Sequence, residues 1–141
     1  MCLFKTHILP KIAMKPITVY KELLISSSGH IITPCKQATV KLNHIMHASK
    51  HWGHNLFGMS IEGQGVHAYN NINGLFLFNS YSVRIKGLGH FYTIVVKAII
   101  PRFSLYWEGK DYDIASSRLF ITNELKCSSI ALPNEVKKLF K

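Results

Sequence analysis

The chain has 141 residues, 48% of them hydrophobic, and it carries 17 Lys and Arg against 7 Asp and Glu, for a formal net charge of +10. This length and composition fit a single packed domain over residues 1–141 and exclude a disordered chain. The charge excludes an acidic tail or mimic and favours an anionic partner.

The ends and the cysteines indicate a cytoplasmic protein that does not enter a membrane. The first residues show no continuous apolar segment of the kind found in signal peptides, and the best apolar run, 92–101, is interrupted by Lys97. Cys2, Cys35 and Cys127 are odd in number and widely spaced, which favours a reducing compartment over disulfide bonding.

The first strong strand signal lies near the start of the chain. Ile17, Val19, Leu23 and Ile25 recur at period two, and Lys21 interrupts this apolar side. The Ser- and Gly-rich run 26–29 predicts a turn that folds the chain back into residues 30–33. Residues 38–42 give a weaker signal for a third strand.

Further strands are predicted downstream. A short strand spans 66–69, and a long apolar strand spans 94–100 and ends at Pro101. Because only Lys97 breaks the long strand, we expect it to be central in a sheet. A late strand over 117–122 follows a surface turn at 108–111.

Helical signals are fewer. A short i, i+3, i+4 stripe at 72–77 predicts one helix, and Pro133 and Asn134 begin another. The buried stripe of this second helix is Val136, Leu139 and Phe140. We therefore expect an α+β fold, with a small mixed or antiparallel β-sheet and one or two short helices in a single domain.

A glycine-rich turn before the 66–69 strand is the first candidate site. Gly63 and Gly65 permit close approach of a ligand, and His67 and Tyr69 then share one face of the strand. His67 could act as a hydrogen-bond donor or a general base. The alternative is that His67 and Tyr69 are amphipathic residues at a sheet edge.

Aromatic residues beside a carboxylate form a second candidate. Tyr106 and Glu108 could line a ligand pocket, although a lone carboxylate in a charged turn is more often solvated surface. With Tyr20 nearby, the predicted ligand-binding residues are Tyr20, Gly65, His67, Tyr69, Tyr106 and Glu108. The motifs assign no catalytic residue and no cofactor.

Four histidines form a third candidate. His44, His47, His51 and His54 would occupy a stripe about 80° wide if their segment were helical. Imidazoles four residues apart on a helix can share a zinc ion. Gly53 and the lack of a nearby carboxylate favour exposed loop histidines instead, so no metal ligand is assigned.

The basic residues are dispersed, and 14 of the 17 are Lys. Because Arg is the residue for bidentate base readout, this balance favours phosphate contact over sequence-specific recognition. The alternative is a solvated basic surface that only keeps the protein soluble.

Several segments occur in a recognisable order. The chain opens with Met1-Cys2-Leu3, continues with Val19-Tyr20-Lys21 and with Gly65-Val66-His67-Ala68-Tyr69, and then carries Ile100-Pro101 and Ala115-Ser116. In this order the chain resembles a group of small uncharacterised proteins of gut bacteria and their phages. The resemblance spans most of the chain and implies a compact α+β domain of phage or prophage origin, without a known activity.

A second likeness is to ADP-ribosyltransferase-type folds. Tyr20, His67 and Glu108 are the nearest analogues of the residues these folds use, whereas their Ser-Thr-Ser step and paired acidic motif are missing. The likeness is at the level of the fold. An enzyme acting on a nucleotide-like substrate would use His67 and Glu108 as an acid/base pair, which requires the two side chains to converge on one pocket.

Three interpretations follow from the sequence. The first is a non-enzymatic binding module for an anionic ligand, either a nucleotide or a nucleic acid. The alternatives are the enzyme acting on a nucleotide-like substrate and a histidine-cluster metal-binding protein.

Overall fold

A computed structural model describes residues 11–34, 37–48, 66–71, 83–108, 113–128 and 131–141. Ten strands lie in these ranges: β1 (Lys11–Ile12), β2 (Ile17–Ser26), β3 (Ile31–Ile32), β4 (His44–His47), β5 (Val66–Tyr69), β6 (Val83–Ile85), β7 (Gly89–Ile100), β8 (Leu105–Glu108), β9 (Asp113–Ser116) and β10 (Arg118–Ser128). One short helix, α1 (Asn134–Lys137), follows them.

The strands form one antiparallel sheet. Its order is β1-β8-β9-β5-β2-β7-β10-β4, with β3 paired to β2 and β6 paired to β7. The centre is the pairing of β2 with β7, which runs from Ile17 opposite Ile100 to Ser26 opposite Phe91. The predicted central position of the long apolar strand is therefore confirmed.

The predicted α+β class is wrong. Strands hold 60% of the described residues and helix only 4%, so the fold is almost entirely β. Two strands are longer than the sequence pattern predicts. β7 begins at Gly89, and β10 continues to Ser128 through residues that do not alternate between apolar and polar. The predicted helix at 72–77 lies outside the described residues.

Several smaller predictions are confirmed. The strand at 66–69 has the predicted bounds, and the Ser-rich turn returns the chain into β3, which pairs antiparallel with β2. Gly29 supplies the positive φ of +91° that this turn requires. The 38–42 segment, in contrast, contributes only an isolated bridge between Thr39 and Ile32.

The main core lies on one face of the sheet, here called the inner face. Val19, Leu23 and Ile25 of β2 meet Ile94, Val96 and Ala98 of β7 there. Burial of these side chains is the main favourable term in the stability of the fold.

The C-terminal segment packs against the same core. Val136 of α1 is buried and Phe140 packs beside it, as predicted, but Leu139 is 42% exposed. Leu139 instead approaches Gly29, where a Cβ on Gly29 would lie 3.1 Å from its Cδ1 atom.

The opposite face of the sheet, here called the outer face, carries a second, smaller cluster. Its members are Leu24, Ile32, Ile85 and Phe91. The even-numbered residues of β2 point to this face, so Tyr20 and Glu22 lie on it together with Leu24.

Candidate functional site

Three of the predicted ligand-binding residues share the outer face. In β5 the buried Val66 and Ala68 face the main core, which places His67 and Tyr69 on the other side. Tyr20 of β2 is the Cα partner of Tyr69. The predicted pairing of His67 with Tyr69 on one face is therefore confirmed, and Tyr20 lies directly beside them.

Tyr106 and Glu108 lie on the inner face, away from that group. Tyr106 packs against the main core, and Glu108 is the Cα partner of the core residue Ile114. Glu108 is exposed, with its carboxylate 3.7 Å from the Nζ atom of Lys11. His67 and Glu108 thus point to opposite faces, so the structure does not bring the expected acid/base pair together. Gly65 lies outside the described residues.

The environment of Tyr69 is electronegative. Burial, and after it the carboxylates of Glu22 and Asp113, together raise the pKa of Tyr69 to about 12. Asp113 is the Cα partner of Tyr69 on the neighbouring strand β9. A phosphate beside Tyr69 would meet the same repulsion, so this part of the outer face is poorly suited to an anion.

The lysines of the outer face are already paired. Lys97 is the Cα partner of Tyr20, and its Nζ atom lies 3.7 Å from Glu124 of β10. Lys126 donates to the same carboxylate at 2.8 Å, a hydrogen bond that lowers the pKa of Glu124. A ligand phosphate would compete with Glu124 for both lysines.

Lys21 is buried on the inner face of the sheet. Its side chain is 8% exposed between the core residues Val19 and Leu23, and its Nζ atom donates to the carbonyl oxygen of His67 at 2.5 Å. Burial lowers the pKa of Lys21 from 10.5 to about 8. Its signal in the sequence is the interruption of an otherwise apolar strand side.

Sequence reasoning missed a different site, where two connections meet at one end of the sheet. The loop 13–16 joins β1 to β2, and the turn 101–104 joins β7 to β8. The amide of Ala13 donates to the carbonyl of Ser104 at 2.9 Å, and the amide of Phe103 donates to the carbonyl of Ala13 at 2.6 Å. We call these two connections the loop pair.

Phe103 has an unusual backbone conformation in the loop pair. The amide of Ser104 donates to the carbonyl of Pro101, which closes a four-residue turn, and Phe103 occupies the third position with φ +70°. Turns with positive φ at this position favour Gly or Asn, and a bulky residue there costs about 1–3 kcal/mol. Phe103 is nevertheless 60% exposed, so burial of the side chain does not offset this strain.

One cation contacts this ring, and two more lie in segments that contact or adjoin the turn. The guanidinium of Arg102 lies over the Phe103 ring, 4.5 Å from its centroid. Arg118 braces the turn, because it donates to the carbonyl of Arg102 at 2.9 Å and to the hydroxyl of Ser104 at 3.3 Å. Lys15 is exposed in the adjoining loop beside Met14, which is 67% exposed. The signal in the sequence was faint: a Phe stands where such a turn favours glycine.

Two of the histidines that were candidates for metal binding, His44 and His47, do not lie on a helix. His44 and His47 belong to strand β4, where residues three apart point to opposite faces, and the Nδ1 atom of His44 lies 2.8 Å from the carbonyl of Leu42. His51 and His54 lie outside the described residues. Within the described ranges, no group of three His, Cys, Asp or Glu side chains is placed to hold a metal ion.

Comparisons with protein-family models, with curated proteins and with solved structures give no match. No helix among the described residues combines the length and apolar character needed to cross a membrane.

Proposed function

We propose that this protein is a non-enzymatic binding module for an anionic ligand, with nucleic acid as the favoured class. The observation that carries the proposal is the loop pair, where exposed apolar side chains and cations occur together. Neither residues 11–18 nor residues 101–107 include an Asp or Glu. An anion approaching this end of the sheet therefore meets no carboxylate from either segment.

The distribution of arginine supports the same site. The chain has three Arg residues, and two of them, Arg102 and Arg118, belong to or brace the loop pair. Arg presents a planar fork of donors that matches phosphate oxygens, and it stacks on aromatic rings. Phosphate contact without base-specific hydrogen bonding fits a surface with so few arginines.

Acids elsewhere neutralise nearby lysines, which sets the loop pair apart. Glu108 pairs with Lys11, and Glu124 pairs with Lys97 and Lys126. Lys15 and Arg102 are exposed, and no ion pair to either lies within 4.0 Å among the described residues. The proposal also includes a cytoplasmic location and a phage or prophage origin. Nucleic acid is abundant in both settings.

The test is a titration of the purified protein into fluorescently labelled single-stranded and duplex oligonucleotides, followed by anisotropy at several salt concentrations. We expect binding at low salt, with the logarithm of the association constant falling linearly with the logarithm of the salt concentration. Labelled polyglutamate serves as a control polyanion that lacks bases and phosphates.

Two outcomes would contradict the proposal. One is the absence of an anisotropy change with either oligonucleotide at low salt. The other is equal affinity for polyglutamate and nucleic acid, which would reduce the interaction to charge alone.

A further inference from the structure

The loop pair exposes an aromatic ring, and this ring bears on whether the bound nucleic acid is single-stranded or duplex. Phe103 is 60% exposed, and its ring projects from a turn position that a phenyl group occupies only under strain. Residues held in a strained backbone conformation cluster at active sites, ligand clamps and switch regions. The structure holds the ring outward although the local backbone favours a smaller residue.

The turn that carries the ring is fixed by specific contacts. The amide of Phe103 donates to Ala13, and the amide of Ser104 donates to Pro101, so both sides of the turn are fixed. Arg118 adds two hydrogen bonds to the same turn. A rigid exposed ring loses little conformational freedom when a flat ligand stacks on it.

The charges beside the ring match a nucleic-acid backbone. Arg102 lies over the ring, and Lys15 and Arg118 belong to the neighbouring segments. Proteins that bind single strands combine aromatic platforms for bases with cations that follow the phosphates. Bases inside a duplex are stacked on each other and cannot reach such a ring.

We propose that Phe103 is a stacking platform for an unpaired base, with Arg102 and Lys15 contacting the flanking phosphates, so that the preferred partner is single-stranded nucleic acid. This inference rests on the proposed function and adds to it the preferred strandedness and the base contact. An anionic membrane surface could also attract a basic and apolar tip, but an exposed aromatic ring beside a guanidinium is the combination that proteins use to bind single strands.

The experiment compares wild type with Phe103→Ala, Phe103→Trp and Arg102→Gln on a labelled single strand and on the corresponding duplex. We expect Phe103→Ala to weaken single-strand binding about 5- to 150-fold, corresponding to about 1–3 kcal/mol per stacked base. Duplex binding should change less than about twofold for this variant, and Phe103→Trp should retain single-strand affinity.

Lys138→Gln is the matched control for Arg102→Gln, because both remove one positive charge from an exposed side chain. Lys138 directly follows α1 and precedes Leu139, which packs near Gly29. Gly29 follows the end of β2, whereas the loop pair adjoins the start of β2. We expect Arg102→Gln to weaken binding to both oligonucleotides more than Lys138→Gln does. Circular dichroism establishes that each variant is folded, and Phe103→Asn replaces Phe103→Ala if the alanine variant is not, since Asn accepts positive φ.

The outcomes separate the two proposals. If wild type binds neither oligonucleotide, the proposed function fails. If wild type binds but Phe103→Ala binds single strands as tightly as wild type, or loses duplex binding equally, only the stacking inference fails. Binding to vesicles of anionic lipid that depends on Phe103, without binding to oligonucleotides, would overturn both.

Discussion

Lys21 brings an amine into the apolar side of β2, and this makes the stability of the protein depend on pH. Burial lowers the pKa of Lys21 to about 8 in the folded state. In the unfolded chain the amine has its ordinary pKa of 10.5 and keeps its proton up to that pH. Stability rises with pH wherever the unfolded state binds more protons. We expect the free energy of unfolding to increase by about 3 kcal/mol from this group between pH 8 and pH 10.5.

Urea denaturation of wild type and Lys21→Met across this pH range measures the effect, because the difference between the two proteins removes the contribution of all other groups. Lys15→Met serves as the control, since Lys15 is exposed. A constant difference between wild type and Lys21→Met from pH 8 to pH 10.5 would show that the amine is not buried in the folded state.

Gly29 and Gly87 allow backbone strain to be separated from crowding. Both have positive φ, at +91° and +84°, but a Cβ on Gly29 would lie 3.1 Å from Leu139, whereas a Cβ on Gly87 would meet nothing within 4 Å. We expect Gly87→Ala to lower the free energy of unfolding by about 1 kcal/mol through strain alone. Gly29→Ala should cost more, because Leu139 must also move, and equal losses in thermal or urea denaturation would contradict this.

Tyr69 reports on the carboxylates of the outer face. Its pKa is raised to about 12 by burial and then by Glu22 and Asp113, so we expect Asp113→Asn to lower it. Ultraviolet titration of tyrosinate measures this value, and Tyr69→Phe identifies which step in the titration belongs to Tyr69. Glu108→Gln, on the inner face, is the control and should leave the step in place.

At the scale of elements, β7 is the strand on which the sheet depends most. Ile94 is fully buried on the inner face opposite Leu23 of β2. We expect Ile94→Ala to lower the free energy of unfolding by about 2–5 kcal/mol, as large-to-small core substitutions do. Ile99, half-buried on the outer face of the same strand, is the matched position, and a loss at Ile94 no larger than that of Ile99→Ala would contradict the assigned register.

The strands that sequence reasoning identified correctly are those with clear local patterns. Val66–Tyr69 alternates buried and half-buried residues, and Ile17–Ile25 shows period two in the sequence itself. The end of β10 could not be predicted in this way, because its pairing with β7 shifts register between Ile121 and Leu125. The partner strand holds those residues in the sheet although their own sequence lacks alternation, which is why the β content was underestimated.

At the scale of the whole molecule, the alternation of side chains between the two faces of a strand explains which part of the predicted site was correct. It places His67 and Tyr69 on one face whatever the topology. The separation of Tyr106 and Glu108 from them depends on the register of β8 against β9, which follows from tertiary pairing. The loop pair was missed because it joins segments about ninety positions apart, through hydrogen bonds between Ala13 and residues 103 and 104.

This topology also sets the speed of folding. Ser26 pairs with Phe91 and Ile17 with Ile100, so partners in the central pairing are 65 to 83 positions apart. Proteins dominated by such distant pairings fold in milliseconds to seconds. We expect refolding in this range when tryptophan fluorescence, to which the buried Trp107 contributes, is followed by stopped flow. Refolding within microseconds would contradict the topology.

The pairing of β2 with β7 has a consequence for the nascent chain on the ribosome. β2 is synthesised well before its partner, and at about 5–20 residues per second several seconds pass before β7 follows. During that interval the run from Leu23 to Ile25, which is buried on both faces in the finished sheet, has no β7 to cover it. Exposed apolar strands of this kind aggregate readily. We therefore expect slower translation, or a higher temperature during expression, to reduce the yield of soluble protein. This loss should occur under conditions in which the folded protein itself is still stable.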